Sequence, residues 1–222
     1  MGISKEVSNI QQYEAYTAAL KEEKDPLIIE MEDYAVKHHI PIMERHGIHT
    51  FIGLLSLQRP KSILELGSAI GYSAIRIAKA FPSTSITTIE RDSERFNLAV
   101  NYIERAGLTE RIEIIEADAL EWAGKDAENT TFDALFIDAA KGQYQRFFEL
   151  YETIVAPGGI IYCDNMFMHG MILKDIQEIP RRKRTMIRNL KAFTTWVMAH
   201  PNFETFLLPV GDGLLIAIKK EA

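Results

Sequence analysis

The chain has 222 residues, a net charge of −6 and 47% hydrophobic residues, enough for one domain with a sizeable core. That charge argues against non-specific nucleic-acid binding by the whole surface. No apolar stretch is long enough to span a membrane, and the start lacks the charged-then-apolar pattern of a signal peptide. Cys163 is the only cysteine, so no intrachain disulfide can form, and a reducing cytoplasm is the expected location. Inside an apolar run, Cys163 reads as a small buried hydrophobe.

Residues 1–58 read as a helical N-terminal extension of the same domain, and residues 59–222 as its main body. Tyr13, Tyr16 and Leu20 have helical spacing. Pro26 after Asp25 can open a second helix, with Leu27, Met31, Tyr34 and Ala35 as its buried stripe. His49 to Leu57 forms a third, strongly apolar stretch. From Lys61 the pattern alternates between strand and helix. Strands are expected at Ser62–Leu66, Ser85–Ile89, Ile112–Ile115, Phe132–Ile137 and Ile160–Cys163. Helices are expected at Gly71–Phe81, at Asp92–Ala106 and at Tyr144–Val155. The second of these buries Phe96, Val100 and Ile103 and ends at Gly107. The third stops at Pro157-Gly-Gly159. Such alternation implies a parallel sheet covered on both faces. The end differs: Phe203–Pro209 and Leu214–Lys219, joined by Val210-Gly-Asp-Gly213, read as a β-hairpin.

Three polar side chains end two of the apolar strands. Asp138 follows Phe132–Ile137, and Asp164-Asn165 follows Gly159–Cys163. Ligands of open α/β sheets bind at this carboxyl rim. Asp and Asn oxygens without Cys or His suit a hard cation, Mg²⁺ first. Helix capping by strand-end acids is the other reading.

The rim also carries a glycine turn, Glu65-Leu-Gly-Ser-Ala-Ile-Gly-Tyr-Ser73, opening a helix. Such a turn lets a ligand approach the backbone and puts an anionic group at a helix N-terminus. Glu90 ends the next strand, where a carboxylate can accept both ribose hydroxyls. Asp118-Ala119 follows strand three, in place to meet an adenine edge. A dinucleotide fingerprint would need glycines where Ala69 and Tyr72 stand. The looser turn with acids after strands two and three suits S-adenosylmethionine.

On these residues the chain resembles the metal-dependent S-adenosylmethionine O-methyltransferases, which include catechol and caffeoyl-coenzyme-A methyltransferases. The glycine turn, Glu90-Arg-Asp92, Phe136-Ile-Asp-Ala-Ala-Lys-Gly-Gln-Tyr144, Pro157-Gly-Gly159, Asp164-Asn165 and Gly211-Asp-Gly213 carry the resemblance. It implies a Rossmann-like class I methyltransferase fold, seven mostly parallel strands with a C-terminal antiparallel hairpin, and a homodimer. It also implies that Asp138, Asp164 and Asn165 hold Mg²⁺ or another divalent cation. Lys141 would be the base beside the acceptor hydroxyl, with Asp138 beside it. Glu65, Gly67, Ser73, Glu90, Asp118, Ala119 and Asp138 would line the cofactor. Ala69-Ile-Gly-Tyr-Ser-Ala-Ile-Arg76, Ala139-Ala-Lys-Gly-Gln-Tyr144 and Ile179-Pro-Arg-Arg-Lys183 are similar to the bacterial subfamily that methylates 5-hydroxyuridine at the tRNA wobble position to 5-methoxyuridine. Small vicinal diols of the catechol or caffeoyl-coenzyme-A type are the alternative substrates.

A cation that binds two neighbouring oxygens of the acceptor would lower the pKa of its hydroxyl. Catechols and 5-hydroxyuridine both offer such a pair. A lysine ordinarily titrates at ~10.4, so Lys141 needs burial or the cation to depress that value before it can act as a base; a solvated lysine is the bland reading. Residues 166–180 read as a loop beside the rim, where Phe167 or His169 could stack on a base. Arg181, Arg184, Arg188 and Lys191 then share one helix face suited to phosphates of the tRNA anticodon loop. Met186, Leu190, Phe193 and Val197 lie opposite. His38-His39 and His46-x-x-His49 read as surface or core histidines.

Overall fold

A computed structural model describes residues 12, 16, 20, 22–122 and 130–221. Tyr13 of the first expected helix lies outside them, while Tyr16 is helical and exposed. Helix α1 spans Pro26–His38, and the Asp25 carboxylate caps it by accepting from the Leu27 N–H at 2.9 Å. Its buried stripe is Ile28, Met31 and Ala35; Leu27 and Tyr34 are only partly covered. Met31 and Ala35 are thus buried as expected, and Ile28 takes the buried place expected of Leu27. Helix α2 covers Arg45–Gln58 and buries Ile48, Phe51 and Leu55.

Five strands follow in chain order. They are β1 (Ser62–Leu66), β2 (Ser85–Glu90), β3 (Ile112–Glu116), β4 (Phe132–Ile137) and β5 (Val155–Cys163). The hairpin is β6 (Phe203–Leu208) and β7 (Leu214–Lys219). The sheet order is β3-β2-β1-β4-β5-β7-β6. All neighbours run parallel except β7, which is antiparallel to both β5 and β6. Among the described residues no helix is long and apolar enough to cross a membrane.

Strand residues alternate between two cores, as the two-residue period requires. Ile63, Phe136 and Tyr162 face the layer of α1, α2, α3 (Tyr72–Ala80) and α4 (Ser93–Arg105). Leu64, Leu66, Leu135, Ile137, Ile161 and Cys163 face the other layer. That layer holds α5 (Ala119–Trp122), α6 (Tyr144–Tyr151) and α7 (Arg181–Met198). Helix α4 buries Ala99, Tyr102 and Ile103, so Phe96 and Val100 sit only at its margin.

One expected boundary is wrong. Helix α6 ends at Tyr151, a 3₁₀ turn covers Glu152–Ile154, and Pro157-Gly-Gly159 lies inside β5 rather than before it. The β4–β5 register shifts at this point. A side chain at Gly159 would stand 2.8 Å from the Val155 side chain and 2.9 Å from the Asp133 carbonyl. The glycines therefore serve a bulge in the strand, where close backbone approach excludes a Cβ.

Candidate active site

The strand-end residues fall on one rim because the ladder continues one bond beyond each strand. Gly67 N–H donates to the Ile89 carbonyl at 2.9 Å, and Ala117 N–H to Glu90 at 3.1 Å. Asp138 N–H donates to the Leu66 carbonyl at 2.9 Å, and Asp164 N–H to Ile137 at 3.2 Å. The sheet grows in opposite directions from β1 and β4, so this rim is a topological switch point, where such sheets bind ligands. A cleft of about 1310 Å³ opens there.

The glycine turn forms the floor of the cleft. Gly67 has φ +95°, and a Cβ on it would lie 2.5 Å from the Asp138 carbonyl oxygen. Only glycine lets β1 and the end of β4 approach so closely. Gly71 caps α3 with φ +82°, outside the helix expected to include it. Glu90 lines the cleft while its carboxylate accepts from the Ala69 N–H at 2.8 Å and from the Arg91 and Asp92 N–H groups at 3.0 Å each. Those donors engage both oxygens of Glu90 and fix its place at the cleft. Asp118 accepts from the Leu120 N–H at 2.8 Å and pairs with Arg91 at 3.4 Å, so it also starts α5. Ala119 and Asp138 line the same wall.

Glu65 and Ser73 stand behind the cleft rather than on its lining. The Ser73 hydroxyl donates to Glu65, and the Thr88 hydroxyl donates to its other oxygen at 2.5 Å. Burial pushes the Glu65 carboxyl up to about 7; the two hydroxyls pull it down, and nearby Asp138 and Glu90 push it further up. Glu65 thus braces the turn from below.

Beside the glycine turn, at the ends of β4 and β5, Asp138, Lys141, Asp164 and Asn165 line the same cleft. Lys141, which opens the 3₁₀ turn Lys141–Gln143, pairs through Nζ with Asp138 Oδ1. Asp164 is buried, and burial first and the neighbouring Asp138 second raise its carboxyl to about 7. The Tyr144 hydroxyl donates to the Asp164 carbonyl at 2.9 Å, which ties the start of α6 to the end of β5. Asn165 has φ +56°, a left-handed conformation that asparagine tolerates better than most residues. A buried carboxylate and a partly buried one on adjacent strand ends, plus an amide oxygen, form an all-oxygen set that suits a hard cation. A cation between the carboxylates would offset the repulsion that raises Asp164. Among the described residues no group of three or more His, Cys, Asp or Glu residues is placed to hold a metal; the expected set has two carboxylates and the Asn165 amide.

The roof of the cleft had no signal in the sequence. Glu32 of α1 accepts from the Tyr72 hydroxyl at 2.6 Å and from Arg45 Nε at 2.6 Å. Arg76 donates to the Tyr72 hydroxyl at 2.9 Å. The network ties α1 and the start of α2 to α3, and Glu32, Arg45 and Tyr72 all line the cleft.

Helix α7 buries Ile187, Leu190, Phe193 and Val197; Ile187 takes the core position expected of Met186, which is only partly buried. Its four-cation face divides in two. Arg184 donates to the Ile179 and Gln177 carbonyls at 2.8 Å each, and Lys191 to the Lys174 carbonyl at 3.2 Å. These two staple the preceding loop, while Arg181 and Arg188 stay exposed. Phe167 packs on Gly213. His169 is exposed, with Nδ1 3.7 Å from Asp212. His38 stacks on Tyr34 with ring centroids 4.1 Å apart.

A family model described as O-methyltransferase matches residues 18–220. The chain belongs to that O-methyltransferase family. It is 32% identical over 179 residues to a catechol O-methyltransferase of Niastella koreensis, covering 77% of this chain and 79% of that one. A Staphylococcus aureus structure provisionally described as a caffeoyl-CoA O-methyltransferase superposes with a TM-score of 0.87 at 30% identity, covering 94% of this chain and 99% of the other. A Bacillus cereus O-methyltransferase solved with S-adenosylhomocysteine shares the fold, with a TM-score of 0.82 at 24% identity and coverage of 94% and 97%. The protein is an S-adenosylmethionine-dependent O-methyltransferase with the Rossmann-like sheet and inserted antiparallel strand expected of it. In this methyltransferase the glycine turn, Glu90 and the three oxygen donors all line one cleft at the sheet's carboxyl rim.

Proposed function

We propose that the enzyme methylates the 5-hydroxyl of 5-hydroxyuridine in the tRNA anticodon loop, using a divalent cation, Mg²⁺ first, at Asp138, Asp164 and Asn165. One observation carries the RNA part. The basic N-terminal half of α7 packs directly on the turn that bears Lys141: Asn189 donates to the Gly142 carbonyl at 3.1 Å, and a Cβ on Gly142 would meet Met186 Cα at 3.7 Å. Helix α7 carries six cations and no acid, in a chain of net charge −6. Four of them, Arg181–Arg184, fill its first turn, behind Pro180, which offers no side-chain cap. A helix N-terminus favours anions, so cations there destabilise the helix unless an anionic partner offsets them. A phosphate backbone supplies that partner beside the catalytic rim. Arg181, Arg182 and Arg188 are the exposed members able to reach it.

In this reading Glu90 and Asp118 hold the nucleoside of the cofactor, and the glycine turn admits its amino-acid part. When bound, the cation lowers the pKa of the acceptor hydroxyl and fixes two vicinal oxygens. Asp138 holds Lys141 at the cleft, where Lys141 would take the hydroxyl proton. The acceptor oxygen forms the new bond to carbon as the sulfonium–methyl bond breaks, leaving S-adenosylhomocysteine. The same reading takes the enzyme as a cytoplasmic homodimer, on its single cysteine and its family resemblance.

The second reading is a small vicinal diol, favoured by the catechol and caffeoyl-CoA names of its relatives. Methyl transfer from labelled S-adenosylmethionine to 5-hydroxyuridine tRNA and to a catechol panel, with Mg²⁺ or EDTA, separates the two. Chelator-sensitive label in the tRNA is expected. Label in catechols alone would transfer the assignment to the small diol.

A further inference from the structure

The loop after the candidate cation pair cannot hold its shape alone. Asn165, Met168 and His169 have φ of +56°, +48° and +52°, and Gly170 has +76°. Left-handed non-glycine residues cost about 1–2 kcal/mol each, so neighbouring structure must impose them.

The imposing structure is the turn between β6 and β7. Met166 N–H donates to the Gly213 carbonyl at 3.0 Å, and Phe167 N–H to the Asp212 carbonyl at 2.8 Å. The Asp212 side chain completes the set: Oδ1 accepts from the His169 N–H at 2.6 Å. A Cβ on Gly213 would lie 2.8 Å from the Phe167 ring, so the turn and the loop are in van der Waals contact. Asp212 Oδ2 is buried and makes no hydrogen bond, with His169 Nδ1 3.7 Å away, and Asp212 reaches the cleft that Asn165 lines.

We propose that Asp212 is a positioning residue, which clamps the 166–169 backbone through His169 and so fixes Asn165 in register with Asp138 and Asp164. The inference rests on the cation reading given above. Outer partners of metal ligands affect binding by about 10–100-fold. Asp212 would act in that role through the backbone, not through a ligand side chain. Asn in its place keeps an oxygen for the His169 N–H and loses only the charge; Ala loses both.

The test is Mn²⁺ binding, followed by the electron-spin resonance of free Mn²⁺, with S-adenosylhomocysteine present. Asp164→Ala serves as the control without the site. Wild type is expected to bind, Asp212→Ala to bind about tenfold more weakly, and Asp212→Asn to stay within about threefold of wild type. Equal affinity in wild type and Asp212→Ala would overturn the clamp. So would Asn failing as badly as Ala, since charge rather than hydrogen bonding would then be at work. Hydrogen exchange at Phe167 and His169 gives a second readout without metal. Asp212→Ala should lose protection there and keep it in β7, and unchanged protection would sink the proposal. Absent Mn²⁺ binding in wild type, with lost protection in Asp212→Ala, would refute the cation reading and leave the clamp standing. Should Asp212→Ala fail to fold, Gly213→Ala pushes the same turn off Phe167 and is read by the same exchange.

Discussion

Glu65→Gln tests the electrostatics beneath the glycine turn. Glu65 is 1% exposed, and its carboxyl rises from 4.5 to about 7 because burial disfavours its charge. A raised carboxylate contributes stability that is fully present below its unfolded value and lost as pH rises through the folded one. The unfolded chain ionises near 4.5 and the folded chain near 7, so stability from this group falls across pH 4.5–7 and is flat above. At about 1.4 kcal/mol per tenfold, the loss is about 3 kcal/mol. Glutamine cannot ionise, so it removes the fall. Its own hydrogen bonds to Ser73 and Thr88 differ by an amount that does not vary with pH. Urea unfolding of both proteins between pH 5 and 8 isolates the pH-dependent part. Over that range the difference in stability should move in favour of the variant by about 2.5 kcal/mol, most of it below pH 7. Parallel curves would mean that Glu65 ionises like a solvated carboxylate and that the brace is misassigned.

Gly67→Ala should lower stability by at least about 2 kcal/mol and abolish S-adenosylhomocysteine binding, because its Cβ meets backbone that cannot yield; calorimetric titration and melting check both. Asp164→Ala should reduce methyl transfer by about 100-fold or more while S-adenosylhomocysteine affinity changes little, and full activity would end the cation assignment. Arg181→Glu with Arg188→Glu should weaken tRNA use, lower its salt slope by about two and spare catechols. Equal loss on both substrates would count against α7 as an RNA surface.

The element order and the rim were legible because both are local. Apolar runs of strand length ending in Glu90, Asp138 and Asp164 needed only the two-residue period and the stop signals beside them. Asp25 before Pro26 announced α1 for the same reason, since an N-cap bonds two residues away. Pro157-Gly-Gly159 misled because proline and glycine signal a stop in either setting; contact with Asp133 on the neighbouring strand turned it into a bulge. The four-cation face of α7 was visible from spacing, yet spacing could not show that Arg184 and Lys191 turn back to backbone carbonyls of their own loop.

By itself, then, the sequence determined the α/β alternation, the acids at the strand ends and the glycine turn, all set by residues near one another in the chain. The tertiary structure alone decided that Glu65 braces the turn from behind, that Glu32 closes the roof, and that Asp212 holds the loop after Asn165. Asp212 and His169 stand 43 residues apart. No periodicity links such positions, and only the insertion of β7 beside β5 brings them within hydrogen-bonding distance.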